Sequence, residues 1–455
     1  DSELSNSSVT WITPGIELKS SVPLLSSFSN IWIYSWSKFY KHSAYGFNEN
    51  DTFIENINPL FYYNYKYSVN FYTPTKEPSY GIDFDEGQGG ISLLSPGFEV
   101  ILGKFKTNIG PFYIGNLSIS RNAPSFPQFI LKAKYKKKVF FSYLIGSLNS
   151  NIAKNYNGIS VDSNDLYIDE WLLNENPEDG SPGVLWYNDY LLNINNPPGA
   201  NMIYERYVVN HRFDFLINKS IRIGLYEQII FGAKKPSLSY LIPLTPFWSN
   251  QHSENDVDNL QIGLDWDYYF EKQRFYGAIL IDEWAPFDTF NDKERNWFAC
   301  QLGFSRIFKL ASKDALFKVE YSKIDPRAYT HRFIINQPKH NGYNLGYWSE
   351  NNSDDLYSNF TVFISDRSIF KFEYQYTRFG SKDDRLTMLE NQYFNADVDF
   401  LADGYNYLNS ISIEYSIKLV NGVNFDFNLS ELETSFYENK RYNDLTISMR
   451  YNINH

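Results

Sequence analysis

The sequence predicts an all-β chain, a transmembrane antiparallel β-barrel of about 18 strands with short periplasmic turns and long extracellular loops. Three observations predict it. Apolar and polar residues alternate with a period of two in many segments. Short and long connections also alternate strictly. Of the 455 residues, 18% are aromatic, with 37 Tyr, 37 Phe and 10 Trp beside only 3 Met and 1 Cys.

The strands are clearest in the C-terminal half. In 203–217, Tyr207, Val209, Phe213 and Phe215 oppose Arg206, Asn210, Arg212 and Asp214. In 257–270, Leu260, Ile262, Leu264, Trp266 and Tyr268 alternate with Gln261, Gly263, Asp265 and Asp267. Segments 368–379, 405–419 and 441–453 repeat the pattern, the last with Leu445, Ile447, Met449 and Tyr451 on one face. Upstream strands are expected near 31–40, 60–72, 80–86, 97–106, 111–120 and 127–135. Short connections fall at Asn218–Ser220, Glu271–Gln273, Leu310–Lys313, Asp366–Arg367 and Val420–Asn421. Long ones fall at about 148–202, 233–256, 285–294, 326–354 and 380–404. A soluble sandwich has no reason to keep that asymmetry, and a membrane barrel does. Counting back from the last strand places Lys136–Lys138 and Thr107–Gly110 on the periplasmic side. Residues 1–30 are read as an N-terminal periplasmic or lumenal segment, or as an extra strand pair near 9–18; residues 31–455 read as one barrel domain. Loop 148–202, with Trp171, Trp186, Tyr187 and Tyr190, is the candidate for a fold-in constriction or an outer cap.

Composition excludes other classes. One cysteine makes neither an intramolecular disulfide nor a cysteine metal cluster. The net charge of −12 argues against a nucleic-acid binder. No apolar run reaches the roughly 18–20 residues of a membrane helix. The expected location is the outer membrane of a Gram-negative-type bacterium, with any signal peptide already removed.

Candidate sites follow from residue chemistry. Sugar binding sets aromatic faces against pyranose rings and polar side chains against hydroxyls. The outer loops hold such mixtures at Trp248, Asn250, Gln251 and His252, at Tyr329, His331 and Arg332, and at Tyr343, Tyr347, Trp348 and Asn351. An aromatic girdle at the membrane interface uses the same residue types. The lumen-facing positions mix both signs of charge, as in Arg212, Asp214, Arg222, Asp265 and Asp267. That favours paired charges filling or narrowing the lumen over an ion-selective ring. There is no Gly-x-Ser-x-Gly elbow and no His-Glu-x-x-His, so no catalytic residue, metal site or cofactor is expected. Cys300 falls on the apolar face of its strand.

One stretch carries a resemblance. It runs Gly103-Lys104-Phe105-Lys106-Thr107-Asn108-Ile109-Gly110-Pro111, then Asn116-Leu117-Ser118-Ile119-Ser120-Arg121-Asn122-Ala123-Pro124. It resembles the capsule assembly Wzi family of outer-membrane proteins. Arg212-Phe213-Asp214, Gly224-Leu225-Tyr226-Glu227, Ile279-Leu280-Ile281-Asp282-Glu283, Glu320-Tyr321 and Tyr329-Thr330-His331 agree in order and spacing. The resemblance implies an 18-stranded barrel and a surface lectin that anchors capsular or other exopolysaccharide. It also implies a helical N-terminal segment, and residues 1–30 show no helical period.

The function expected is therefore binding of surface polysaccharide, without catalysis. The expected contacts are Trp248, His252, Tyr329, His331 and Arg332, with Arg121 as the family-matched position. The expected partners are outer-membrane lipid and polysaccharide, with other envelope proteins as a further option, no nucleic acid, and a monomeric barrel. The alternatives are a porin or sugar-uptake channel and a structural subunit of an outer-membrane complex.

Overall fold

The computed structural model describes residues 10–24, 30–47, 73–75, 80–153, 155–156, 159–160, 203–234, 236–253, 258–284, 286–287, 289, 296–331, 334–380, 399–402, 404–419, 423–436 and 440–451. Among them, a single antiparallel sheet has 19 strands. Two are short pieces, Thr10–Ile12 and Thr73–Thr75. The long strands are β1 Gly15–Pro23, β2 Trp32–Phe47, β3 Tyr80–Leu94, β4 Phe98–Phe105, β5 Phe126–Tyr135, β6 Val139–Ala153, β7 Ile203–Leu216 and β8 Ile221–Gly232. They continue with β9 Asn259–Phe270, β10 Gln273–Glu283, β11 Trp297–Leu310, β12 Lys313–Ile324, β13 Ser353–Ser365, β14 Ser368–Gly380, β15 Tyr405–Lys418, β16 Val423–Thr434 and β17 Lys440–Tyr451. Each long strand pairs with the next, so the ladder runs from β1 to β17 in chain order.

The predicted alternation sets the two faces. Leu302, Leu429, Leu445 and Ile447 point outward and are exposed. Gln228, Gln261, Asp265, Glu320 and Asp355 point inward and are buried. A water-soluble protein rarely carries so large an apolar exterior. Cys300 shares the outward face, opposite Ile279. The inward charges pair along the wall. Arg222 joins Asp265 at 2.7 Å and Asp267 at 2.6 Å, and Arg274 joins Asp267 at 2.7 Å.

The short connections gather at one end. Lys136–Lys138 lies there, with the turn before β4 bonded beside it through Lys134 N–H and the Gly97 carbonyl. Lys136, Lys137, Glu271, Ala311 and Ser312 take positive φ, as two- and three-residue turns between twisted strands require.

Three expectations change in the N-terminal third. Segment 111–120 is not a wall strand, because β4 pairs directly with β5 from Phe105↔Phe126 to Phe98↔Ala133. Its alternation has another cause, taken up below. Thr107–Gly110 consequently lies at the long-loop end and makes no periplasmic turn. Within 1–30, Thr10–Ile12 and Gly15–Pro23 belong to the sheet against β2, which is the extra-strand option and not a separate plug. The expected strand 60–72 and loop residues Trp171, Trp186, Tyr187 and Tyr190 lie outside the described residues.

The two-faced wall gives a direct test. Leu429 stands outward between Ile413 and Leu445, near the middle of β16. In a bilayer, Leu429→Arg should cost about 2–4 kcal/mol. Its neighbour Asn428, on the lumen side, should take Arg with a smaller loss. Reversible unfolding from lipid vesicles measures both.

Candidate functional site

Residues 106–125 leave β4 at the long-loop end, enter the lumen and return to β5. The segment has almost no ladder of its own; one bridge joins Ile109 and Ile119. An extended backbone inside a barrel must then find its partners on the walls. It finds them on strands far from its own. The N–H groups of Tyr113 and Ile114 donate to the Glu320 carboxylate of β12 at 2.9 and 3.2 Å. Tyr276 OH donates to the same carboxylate at 2.6 Å. Arg274 donates to the Pro111 carbonyl at 3.0 Å, and Gln301 to the Gly115 carbonyl at 3.0 Å. The Tyr113 ring stacks on Tyr357 of β13, with Lys318 Nζ 3.7 Å from its centroid.

The alternation of Asn116, Leu117, Ser118, Ile119 and Ser120 now has its cause. All five are buried. Ser118 donates to Gln228 at 2.9 Å and accepts from Asn210 at 3.1 Å. Leu117 packs with Leu280, Tyr329, Tyr347 and Trp348, and Ile119 with Phe126, Ile130 and Leu345. The segment is two-faced because polar wall side chains meet one side, and an apolar layer of both wall and lid residues meets the other.

That lid is the connection 325–352, which folds over the segment. Ser120 N–H donates to the Leu345 carbonyl at 2.7 Å and Asn122 Nδ2 to the Asn344 carbonyl at 2.9 Å. Its short hairpin, Lys339–His340 with Tyr343–Asn344, reaches across the mouth to β6 and β7. Arg206 there donates to the carbonyls of Ile335 and Lys339. Asn149 N–H donates to His340 Nδ1 at 2.9 Å. Two glycines permit the close layering. Gly110 takes φ +135°, and a Cβ on Gly346 would stand 2.4 Å from the Leu117 carbonyl.

Segment, wall and lid close into one ring of hydrogen bonds. Ser118 donates to Gln228, which donates to Gln261 at 3.0 Å. Gln261 donates to Asp282 at 3.3 Å, and Asp282 accepts the Tyr329 N–H at 2.6 Å. Tyr329 OH returns to the Leu117 carbonyl at 2.7 Å. Tyr329 holds φ +65°, a costly conformation for a residue with a Cβ, kept by these two bonds.

The predicted sugar contacts are scattered by this arrangement. Tyr329 and His331 are buried in the lid. Trp248 is exposed on a separate loop. The helix turn carrying His252 is placed, but its side chain and all of Arg332 lie outside the described residues. Arg121 is exposed at the end of the inward segment. Nearby, Lys106 has its amine pKa lowered by burial, while Glu86 pulls the other way. Sequence reasoning missed the partners Gln228, Gln301 and Asp355, whose polar residues on inward strand faces looked like any others. Asp355 accepts from Gln375 at 2.7 Å and Thr377 at 2.8 Å, and also binds the Tyr347 hydroxyl. A recess of about 300 Å³ remains beside the inward segment, lined by Tyr34, Trp36, Lys38, Gln88, Phe105 and Lys106 among others.

The fold can be set beside known structures. Wzi of Escherichia coli, described as an outer membrane protein involved in group 1 capsule assembly and a carbohydrate-binding β-barrel, aligns with TM-score 0.52 at 12% identity, over 96% of this chain and 82% of its own. OccAB4 of Acinetobacter baumannii aligns over 98% of this chain and 97% of its own at TM-score 0.39 and 9% identity. OpdK of Pseudomonas aeruginosa, solved with vanillate, covers 96% of each chain at TM-score 0.41 and 8% identity. No protein-family model matches the chain, and no curated protein matches it. The likeness to Wzi establishes a shared outer-membrane barrel fold.

Two outcomes follow for the seal. Glu320→Ala strands three donors, and should lower stability in detergent by about 3 kcal/mol or more. His340 is neutral in the fold, its pKa pushed down to about 3 by burial and by Arg206 and Lys104. An opened lid returns it to its ordinary 6.5, so the opened form binds a proton that the closed form refuses. The contribution of His340 is complete above that value and falls as the pH drops toward 3. Limited proteolysis of the lid should accelerate across this window, and His340→Gln should flatten the dependence.

Proposed function

We propose that this chain sits in the outer membrane of a Gram-negative-type bacterium and holds surface polysaccharide at its long-loop end, as an anchor that catalyses nothing and conducts little. The observation that carries the reading is the inward segment 106–125, bonded to the opposite wall and covered by a lid. A transport barrel needs an open path, and here that path is crossed by backbone whose polar groups are satisfied in place. The carbohydrate binding in the printed description of Wzi supports the ligand class. The residues quoted for the family resemblance support it too. Asn116–Ser120, Asp282, Glu320 and Tyr329 meet in this one assembly.

The sugar contacts are then divided by role. Tyr329 and His331 shape the outer surface from below. Arg121 is the exposed cation placed to meet hydroxyls or carboxylates of a glycan, beside a recess with the Trp36 and Tyr34 rings among its walls. Weak contacts repeated along a polymer suffice for retention.

Binding of purified capsular-type polysaccharides to the barrel, with conductance measured in planar bilayers, tests the reading. The expected results are measurable binding, closed channels, and a loss of roughly ten-fold or more in affinity for Arg121→Ala. Deleting 109–120 should open conductance. A steady open channel in the unaltered protein, with no glycan bound, would make it a porin.

A further inference from the structure

The connection between β8 and β9 goes the other way. It holds two short helices, α1 Leu238–Leu241 and α2 Phe247–Ser253. They pack on the outward face of the barrel wall. Tyr240 and Phe247 are fully buried against Tyr143, Val209, Ile229 and Phe231. Those wall residues share the phase of Phe213 and Leu225, opposite to the lumen-facing Asn210 and Gln228. Tyr143 OH donates to the Tyr240 carbonyl at 3.0 Å, and Tyr240 OH to Asp258 at 2.8 Å. Lys234 joins Asp258 at 2.8 Å and closes the base of the flap.

The flap covers a pair that lipid would not tolerate bare. His211 Nε2 and Glu227 Oε2 lie 2.9 Å apart on the outward face. Phe247 N–H donates to the same Glu227 oxygen at 2.8 Å, and the Phe247 ring stacks on His211 at 4.2 Å. Ionisable groups on the lipid face of a barrel are costly at membrane depth. A backbone donor and an aromatic lid remove that cost.

Height places the flap. Below Glu227, β8 retains only residues 221–226. At a rise of about 3.3 Å per residue and a tilt near 40°, that is roughly 15 Å of wall. The apolar band of such a barrel is about 25 Å tall. The flap therefore stands where the upper part of the band has to be. Its own outer side is apolar: Leu238 is 77% exposed and Leu244 68%, with Leu241, Ile242 and Trp248 exposed beside them. The outward wall is likewise apolar and exposed at Leu225.

We propose that the flap 236–253 is embedded in the outer leaflet, with Leu238, Ile242, Leu244 and Trp248 against lipid acyl chains at the headgroup boundary. It takes the place of the wall it covers. Trp248 then serves as an interfacial anchor, not a sugar platform. The inference rests on the membrane reading above, and the experiment separates the two.

Nitroxide labels would be placed at Leu244→Cys on the flap and at Leu225→Cys on the bare wall, each in a Cys300→Ser background. The protein would be reconstituted in phosphatidylethanolamine–phosphatidylglycerol vesicles. Collisional relaxation would be read with oxygen and with a water-soluble nickel chelate. The expected result is a shift toward oxygen at both positions. Oxygen preference at Leu225 with nickel preference at Leu244 would overturn the flap's embedding alone. Oxygen preference at Leu225 with neither reagent reaching Leu244 would also overturn it, by showing that protein covers this face. Nickel preference at Leu225 would overturn the membrane reading and the flap with it.

Discussion

An extended backbone can lie inside a barrel only if its own N–H and C=O groups are met there, and the arrangement of this molecule follows from how 106–125 meets that demand. Without a neighbouring strand to ladder against, the segment borrows acceptors and donors from side chains of distant strands. Glu320 takes two amides, Arg274 and Gln301 reach two carbonyls, and Tyr329 reaches a third. Arg274, Gln301 and Glu320 must each stand on the inward face of its strand, which fixes the register of β10 to β12 against the segment. The lid inherits the same constraint, because Tyr329 and Leu345 belong to it.

Much of the barrel was legible in the sequence. Period-two alternation locates β7, β9, β14, β15 and β17, because each wall strand has one apolar and one polar environment, and the spacing of short and long connections implies the strands between them. The short turns fix which end is which. The same rule failed at 111–120, where Leu117 and Ile119 alternate with Asn116, Ser118 and Ser120. The signal reports two unlike environments, and it does not say whether they are lipid and lumen or lid and lumen. The quoted motifs mark residues that meet in space, for a reason the sequence could not display. Asp282, Glu320 and Tyr329 are far apart in the chain and share one assembly around Leu117 and Tyr113. Arg121 sits on the same segment. Trp248, by contrast, was grouped with sugar contacts on residue type alone, and its loop turns away from the mouth onto the outer wall.

The wall thus has two coverings of opposite logic. Inside, polar wall side chains satisfy an inserted backbone, and the apolar side of that backbone is covered by the lid and an apolar patch of the wall. Outside, the flap shields His211 and Glu227 and turns its own apolar side away. Both are connections from the long-loop end folded back along the barrel. Both leave the short-turn end unaltered.

Segment 109–120 is held inside the barrel by the opposite wall. Native-state hydrogen exchange at Tyr113, Ile114 and Ser120 tests that hold. Protection at Tyr113, Ile114 and Ser120 comparable to that of the ladder amides of β11 and β12 is expected, with loss of protection at Tyr113 and Ile114 when Glu320 is removed. Exchange at those amides as fast as in an unstructured peptide, with the wall still protected, would contradict it.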